Sequence, residues 1–302
     1  MSSTIAIATN LHHRIELGFF EQWLDYHLRL GVDHVFLGID VRHSVGDLAS
    51  QRAVTGELTR PPRQYMWWKK PNFDYHAALG HAQILDRWRE GLARFPADRV
   101  TPVFLRLPDN VNIRRQLRWL SIVYADYADR FDYLFFIDGD ELLVPQASDD
   151  IHSVLDALEG DTLVYGIRQQ LFDKRWASPG VNRESVFDIH LTRGVTDHDN
   201  PPPAHAFKCL FAPGYQGLDR ADLHPHSFCG DFPEHYALID ESALLLHHFR
   251  GWEDIAHRAR DEDEEVEVFT SHRHAELFAR CHGRWRTEEE AGVSEIREIG
   301  PD

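Results

Sequence analysis

The sequence has few of the residues that characterise secreted, zinc-binding or membrane-spanning proteins. Its three cysteines, Cys209, Cys229 and Cys281, are odd in number and lack Cys-x-x-Cys spacing. This argues against a disulfide framework or a zinc ribbon and is typical of a reducing cytosol. No apolar run reaches the roughly 18 residues of a transmembrane helix. Residues 1–4 lack the features of a signal peptide, so a cytoplasmic location is expected.

Positive charge is also scarce. The chain has 32 Lys and Arg against 49 Asp and Glu, which gives a net charge of -17. Binding to a nucleic-acid backbone needs clustered Lys and Arg, so this class of partner is not expected. Histidine is abundant instead, at 20 residues, and some of these imidazoles are candidate metal ligands.

The first forty residues predict a β-strand, an α-helix and a second strand. Residues 5–9 and 35–39 are short apolar runs. Between them, Leu17, Phe20 and Leu24 recur at the spacing of one helix face. A strand-helix-strand unit of this length implies parallel pairing, so the expected fold is α/β with a mostly parallel central sheet flanked by helices.

Further elements follow along the chain. Strands are predicted at 65–68, 103–105, 133–137, 162–167, 206–211 and 243–249, and helices within 74–95 and over 113–127. The strands of the second half are separated by long loops that contain Pro and Gly. We therefore expect a ligand-binding half at residues 1–150 and a second half at 151–302 with C-terminal helices, joined in one compact domain.

An acidic cluster follows the most apolar predicted strand. Residues 133–137 run directly into Asp138, Gly139, Asp140 and Glu141. In open α/β folds ligands bind at the carboxyl ends of the strands, and hard oxygen donors there suit Mg²⁺ or Mn²⁺ bridged to phosphate. A plain polar turn is the alternative reading of this motif taken alone. Three carboxylates in four residues would, however, repel each other unless a cation or hydrogen-bond donors compensate.

These residues resemble a known family. Segment 136–145, FIDGDELLVP, resembles the "fiDxDEFlxp" signature (a DXD motif) of the glycosyltransferase family 2-like and family 92-like enzymes, which have the GT-A fold. Segment 16–27 resembles the family's "NExxxLxEWixyH". Further matching pieces, in the family's order, are 30–35, Asp40 with Ser44 and Asp47, 207–211, His224-Pro225 and 246–250. Ile15, Gln22 and Phe249 depart from the family pattern.

The resemblance implies a metal-dependent glycosyltransferase. It would move a sugar from a nucleotide diphosphate sugar, expected to be UDP-linked, to a hydroxyl of a glycan or other acceptor, with inversion. The half at residues 1–150 would bind the nucleotide sugar, and the half at 151–302 would bind the acceptor. The implied cofactor is Mn²⁺ or Mg²⁺. The implied metal ligands are Asp138, Asp140 and His248. The implied donor-binding residues are Glu16, Asp40, Gln116, Asp138, Lys208 and His224.

An inverting transferase also needs a carboxylate that deprotonates the acceptor hydroxyl. Asp231 and Glu234, in a loop of the second half, are the candidates, and Asp173 is the alternative. For the metal site, His247 is the alternative to His248. Strand alternation sends these two histidines to opposite faces, so only one of them is expected in the site.

Several other interpretations of the sequence remain. Trp23, Tyr26 and His27 are predicted to pack rather than to react. Segment 67–70, WWKK, is a possible peripheral membrane or sugar contact, although partial burial is favoured. A nucleotidyltransferase is one rival function, but segment 10–14 lacks the glycine-rich loop typical of that class. A non-catalytic nucleotide- or sugar-binding protein is the other.

Overall fold

The computed structural model describes residues 3–12, 17–40, 81–105, 112–158, 162–173, 191–193, 207–218, 236–250, 268–270, 273–280 and 297–299. The α-helices are α1 (Leu17–Leu30), α2 (His81–Leu92), α3 (Asn112–Tyr127), α4 (Ile151–Leu155) and α5 (Arg273–Arg280). The first six strands are β1 (Ile5–His12), β2 (His34–Asp40), β3 (Val100–Leu105), β4 (Tyr133–Phe136), β5 (Glu141–Pro145) and β6 (Val164–Asp173). The others are β7 (Leu191–Arg193), β8 (Phe207–Phe211), β9 (Tyr236–Leu238), β10 (Leu244–Arg250), β11 (Val268–Thr270) and β12 (Arg297–Ile299).

The predicted strand-helix-strand unit is confirmed, and it begins a parallel sheet. Strands β12, β3, β2, β1 and β4 lie side by side in that order and are all parallel. The chain steps from β1 outward to β2 and β3, and then β4 takes the other side of β1. The strand order therefore reverses between β1 and β4. In open α/β sheets the crevice at such a reversal, outside the carboxyl ends of the strands, is where ligands bind.

The second half extends this sheet with mixed pairing. β8 lies antiparallel between β4 and β6, and β10 pairs parallel with β6 and antiparallel with β5. The structure differs from the sequence-based predictions at two strands. No strand was predicted at β5, although Leu142, Leu143 and Val144 in it are fully buried. β6 does not end near Ile167 but continues to Asp173, so the latter lies in a strand.

The core lies on both faces of the sheet because successive strand residues alternate between them. Ile5 and Ile7 of β1 face the side covered by α1, α2, α4 and α5. Ala6 and Ala8 face α3. On that side Trp119 lies so close to β2 that a Cβ on Gly38 would approach its ring to 2.8 Å. No helix in the part of the chain described above is long and apolar enough to cross a membrane.

Helix α1 is fastened to the backbone of β5 by three side chains. Trp23 Nε1 donates to the Glu141 carbonyl (2.6 Å), and the Tyr26 hydroxyl donates to the Leu143 carbonyl (2.5 Å). His27 Nε2 accepts from the Leu143 amide (3.2 Å), while its Nδ1 contacts the Trp23 carbonyl at 2.9 Å. These residues are buried, as expected of packing residues. They also fix the strand that follows the acidic cluster.

The pH dependence of stability tests the role of His27. Burial lowers the pKa of His27 to about 3 from its usual 6.5, so the folded protein excludes a proton that the unfolded chain accepts. The stability that this residue contributes is therefore present above pH 6.5 and is lost as the pH falls toward 3. In wild type, protonation of His27 on unfolding should lower the unfolding free energy by about 2 kcal/mol between pH 7 and pH 5. His27→Gln, whose amide can make both bonds, should abolish this part of the decrease.

Urea denaturation at several pH values measures this difference. Tyr26→Phe is the control, because it deletes one bond of the same fastening and no group that titrates in this range. It should lower stability by about 1 kcal/mol at every pH. Equal pH slopes for wild type and His27→Gln would contradict the assignment.

Candidate functional site

The acidic loop (residues 138–141) lies where the strand order reverses. β4 ends at Phe136, and Ile137 still donates its amide to the Ala8 carbonyl of β1 (3.3 Å). The loop then turns back on itself, because the Asp138 amide donates to Glu141 Oε2 at 2.7 Å. Glu141 therefore points inward and is fully buried, whereas Asp138 and Asp140 stay partly exposed.

Both oxygens of Asp138 are held by donors from distant parts of the chain. Gln116 on α3 donates its Nε2 to Oδ1 at 2.6 Å. Lys208 on β8 donates its Nζ to Oδ2 at 2.7 Å. The Asp138 side chain nevertheless keeps 24% of its surface exposed. It is thus a fixed carboxylate that retains lone pairs toward solvent or a ligand.

The buried ammonium group of Lys208 compensates the negative charge of the acidic loop. Its side chain is 0% exposed, and Nζ lies 3.6 Å from Glu141 Oε2 as well as in contact with Asp138. Burial works against the ammonium ion, but Asp138 and Glu141 together raise the pKa of Lys208. Burial raises the pKa of Glu141 to about 7, against the opposing effect of Lys208. A lysine therefore supplies part of the compensation that three adjacent carboxylates require.

Asp140 faces His248 across the open side of the loop. Asp140 Oδ2 lies 3.3 Å from His248 Nε2, and the two side chains are 17% and 14% exposed. The neighbouring Phe249 amide donates to the Asp140 carbonyl at 2.8 Å, which joins β10 to the loop. Burial alone would raise the pKa of Asp140, but His248 and then Lys208 outweigh it and lower that pKa.

The Asp140–His248 pair fits a divalent cation as two of its ligands. A six-coordinate octahedral cation with bonds of about 2.1 Å places adjacent ligands about 3 Å apart, close to the separation of this pair. Among the described residues no three His, Cys, Asp or Glu side chains form a group that could hold a metal ion. Asp138 is turned to Gln116 and Lys208 instead. Further ligands would have to be water or substrate oxygens, which Mg²⁺ commonly keeps.

His247 lies on the opposite face of β10 from His248, as strand alternation requires. It is fully buried, and its Nδ1 lies 3.1 Å from Nδ1 of His274 on α5. Burial and then the neighbouring His274 lower its pKa well below the usual value. His247 therefore belongs to the packing between β10 and α5 rather than to the site.

Two site residues were missed in the sequence. Gln169 on β6 donates its Nε2 to Glu141 Oε1 at 3.0 Å, and its Oε1 lies 3.2 Å from His248 Nδ1. Glu141 belongs to the acidic motif, but no role was predicted for it. In the structure its carboxylate contacts Gln169, Lys208 and the Asp138 amide. The available signal was the polar pair Gln169-Gln170 just beyond an apolar strand.

Other predicted site residues are only partly placed or not placed at all. Glu16, His224, Asp231 and Glu234 lie outside the described residues, so their roles stay predictions. Asp40 is the last residue of β2, level with His12 of β1 and Leu105 of β3, although only its backbone is described.

No protein-family model matches the chain, and no curated protein matches it. One similar solved structure is Rv0371c from Mycobacterium tuberculosis H37Rv, at 12% identity and a TM-score of 0.32, covering 80% of this chain and 90% of that one.

Removing Lys208 tests the charge compensation of the acidic loop. Lys208→Met leaves Asp138 and the buried Glu141 without their cation, which should cost about 3–5 kcal/mol of unfolding free energy near neutral pH. Adding Glu141→Gln should recover part of that loss, because the second substitution removes the buried negative charge. Urea denaturation of the two single variants and the double variant measures the coupling.

The control is Arg168→Met, which breaks a more exposed ion pair with Glu241. Exposed pairs contribute about 0–1 kcal/mol, so this variant should remain close to wild type. An equally small loss of unfolding free energy in Lys208→Met, or no recovery in the double variant, would contradict charge compensation by Lys208.

Proposed function

We propose that this protein is a metal-dependent glycosyltransferase with a GT-A fold. It transfers a sugar from a UDP-sugar to a hydroxyl group of a glycan or other acceptor in the cytoplasm, with Mn²⁺ or Mg²⁺ as the cofactor. The observation that carries the proposal is the Asp140–His248 pair, spaced for one cation and partly open to solvent. The ordered motif resemblance supports the same reaction class.

The location of the pair supports a nucleotide-sugar donor. The acidic loop lies outside the carboxyl ends of β1 and β4, and the order β3-β2-β1-β4 matches the first four strands of the dinucleotide-binding strand order 3-2-1-4-5-6. A donor in this crevice would have its diphosphate near Asp140 and His248. Asp138, held by Gln116 and Lys208, presents a fixed acceptor for the ribose hydroxyls.

The proposed roles of the side chains follow from their chemistry. Asp140 and His248 would hold the cation, which supplies positive charge that offsets the charge developing on the diphosphate. In the displacement, the acceptor oxygen bonds to the anomeric carbon while the bond to the diphosphate oxygen breaks. A carboxylate takes the hydroxyl proton, and Asp231 or Glu234 is the proposed base. With a single displacement the sugar is transferred with inversion.

Hydrolysis and transfer assays with a panel of UDP-sugars test the proposal. Wild-type protein should release UDP with Mn²⁺ or Mg²⁺ and lose this activity after chelation. Asp140→Asn should reduce kcat/KM about 100-fold or more, because a metal ligand contributes several kcal/mol to the transition state. Asp149→Asn, which changes a carboxylate paired with Arg273 and Arg280, should keep wild-type activity.

Three outcomes oppose the proposal in different ways. If no UDP-sugar binds or reacts with any divalent metal, the central claim fails. Consumption of a nucleoside triphosphate with release of pyrophosphate would indicate a nucleotidyltransferase. Tight binding of a UDP-sugar without turnover for any acceptor tested would indicate a binding protein.

A further inference from the structure

Gln116 joins helix α3 to the first carboxylate of the acidic loop. Its Nε2 donates to Asp138 Oδ1 at 2.6 Å, while Lys208 Nζ donates to Oδ2 at 2.7 Å. Both donors are buried, since Gln116 is 5% exposed and the Lys208 side chain 0%. Hydrogen bonds to an ionised carboxylate are roughly twice as strong as those between neutral groups. The Asp138 carboxylate is therefore fixed on both oxygens from inside the protein.

Without these two donors, Asp138 would be a suitable third ligand for the cation. It lies two residues before Asp140 in the same loop, and Lys208, which contacts Asp138, also lowers the pKa of Asp140. Among the described residues, however, Asp138 does not form a three-membered metal-binding group with Asp140 and His248. The hydrogen bonds from Gln116 and Lys208 account for this difference between the spacing in the sequence and the arrangement in the structure.

The exclusion of Asp138 from the metal site has a chemical consequence. Mg²⁺ and Mn²⁺ favour carboxylate oxygens, and each further carboxylate ligand strengthens binding but cancels part of the charge of the cation. A divalent cation with Asp140 as its one carboxylate ligand keeps a net positive charge, which can act on a diphosphate. Asp138 as a second carboxylate ligand would cancel that charge. Holding Asp138 back therefore lowers the metal affinity and preserves the charge that acts on the leaving group.

We propose that Gln116 is a positioning residue that holds Asp138 away from the cation, so that Asp140 is the one carboxylate ligand beside His248. The benefit for a diphosphate leaving group rests on the proposed function. The restraint itself does not, because metal binding alone measures it. The sequence resemblance implied a direct donor contact for Gln116, whereas in this proposal it acts through Asp138.

A purely structural role for Gln116 predicts the opposite change in metal affinity. Loss of a packing bond would loosen the loop, and a loosened site binds metal more weakly. Release of a restrained carboxylate instead adds a ligand and makes binding tighter. Gln116→Met separates the two roles, because methionine keeps the side-chain length and the helix preference but cannot donate to Asp138. Lys208 keeps its contact with Oδ2 and continues to compensate the loop.

The measurement is Mn²⁺ affinity without nucleotide, from the electron paramagnetic resonance of free Mn²⁺. Gln116→Met should bind Mn²⁺ about 10-fold more tightly than wild type, because the number of charged ligands strongly tunes the affinity of oxygen-ligand sites. Asp138→Asn should stay within a few-fold of wild type, because Asp138 is not a ligand there. The double variant should lose the gain and match Asp138→Asn, which shows that the gain comes from Asp138.

The control is Gln146→Met, which removes a half-buried amide bonded to the Val144 carbonyl. Its Mn²⁺ affinity should equal that of wild type. Unchanged or weaker binding in Gln116→Met would overturn the proposal, and so would a gain that persists in the double variant. An equal gain in Gln146→Met would overturn the specific role of Gln116.

Folding of each variant is checked by urea denaturation. Gln116→Leu, a second side chain without a donor, should show the same gain in Mn²⁺ affinity as Gln116→Met. If neither variant folds, Gln116 is required for folding rather than for positioning, and the proposal is overturned.

The two proposals fail separately. If wild type binds Mn²⁺ and turns over a UDP-sugar while Gln116→Met shows no gain, the proposed function stands and the restraint is overturned. If Gln116→Met shows the gain but no UDP-sugar binds or reacts, the restraint stands and the proposed function is overturned. If no variant binds a divalent cation, with or without UDP, both are overturned.

Discussion

The buried ion cluster of Lys208 with Asp138 and Glu141 is the interaction on which the rest of the site depends. Three carboxylates within four residues repel each other, and one of them, Glu141, is completely removed from water. A fully buried ammonium between two of them makes this arrangement possible. With its charge compensated, Glu141 can order its surroundings, and its oxygens accept from the Asp138 amide and from Gln169.

Helix α1 and strand β5 are far apart in the sequence but are joined by side-chain hydrogen bonds. Trp23 and Tyr26 of α1 donate to carbonyls of Glu141 and Leu143, at separations of 118 and 117 residues. The helix thereby fixes β5, and β5 fixes the direction in which the acidic loop leaves the sheet. This contact couples the two segments physically within the fold. It also makes packing residues of the helix contributors to the geometry of the site.

The acidic loop divides its carboxylates among three tasks. Glu141 is buried and organises the interior, Asp138 is held by Gln116 and Lys208 at the sheet edge, and Asp140 faces His248 on the open side. Burial and the neighbouring charges separate them chemically, since the pKa of Glu141 is raised and that of Asp140 is lowered. Three residues of one chemical type thus acquire different roles from their neighbours alone.

The sequence by itself determined the first strand-helix-strand unit, the acidic cluster at the end of a buried strand and the opposite faces of His247 and His248. Strand and helix periodicity act over a few residues, so these features can be read without the fold. Only the tertiary structure decided that Lys208, 70 residues from Asp138, neutralises the loop, and that Gln169 joins Glu141 to His248. These contacts depend on β8 lying beside β4 and on β10 lying beside both β5 and β6, which no local pattern specifies.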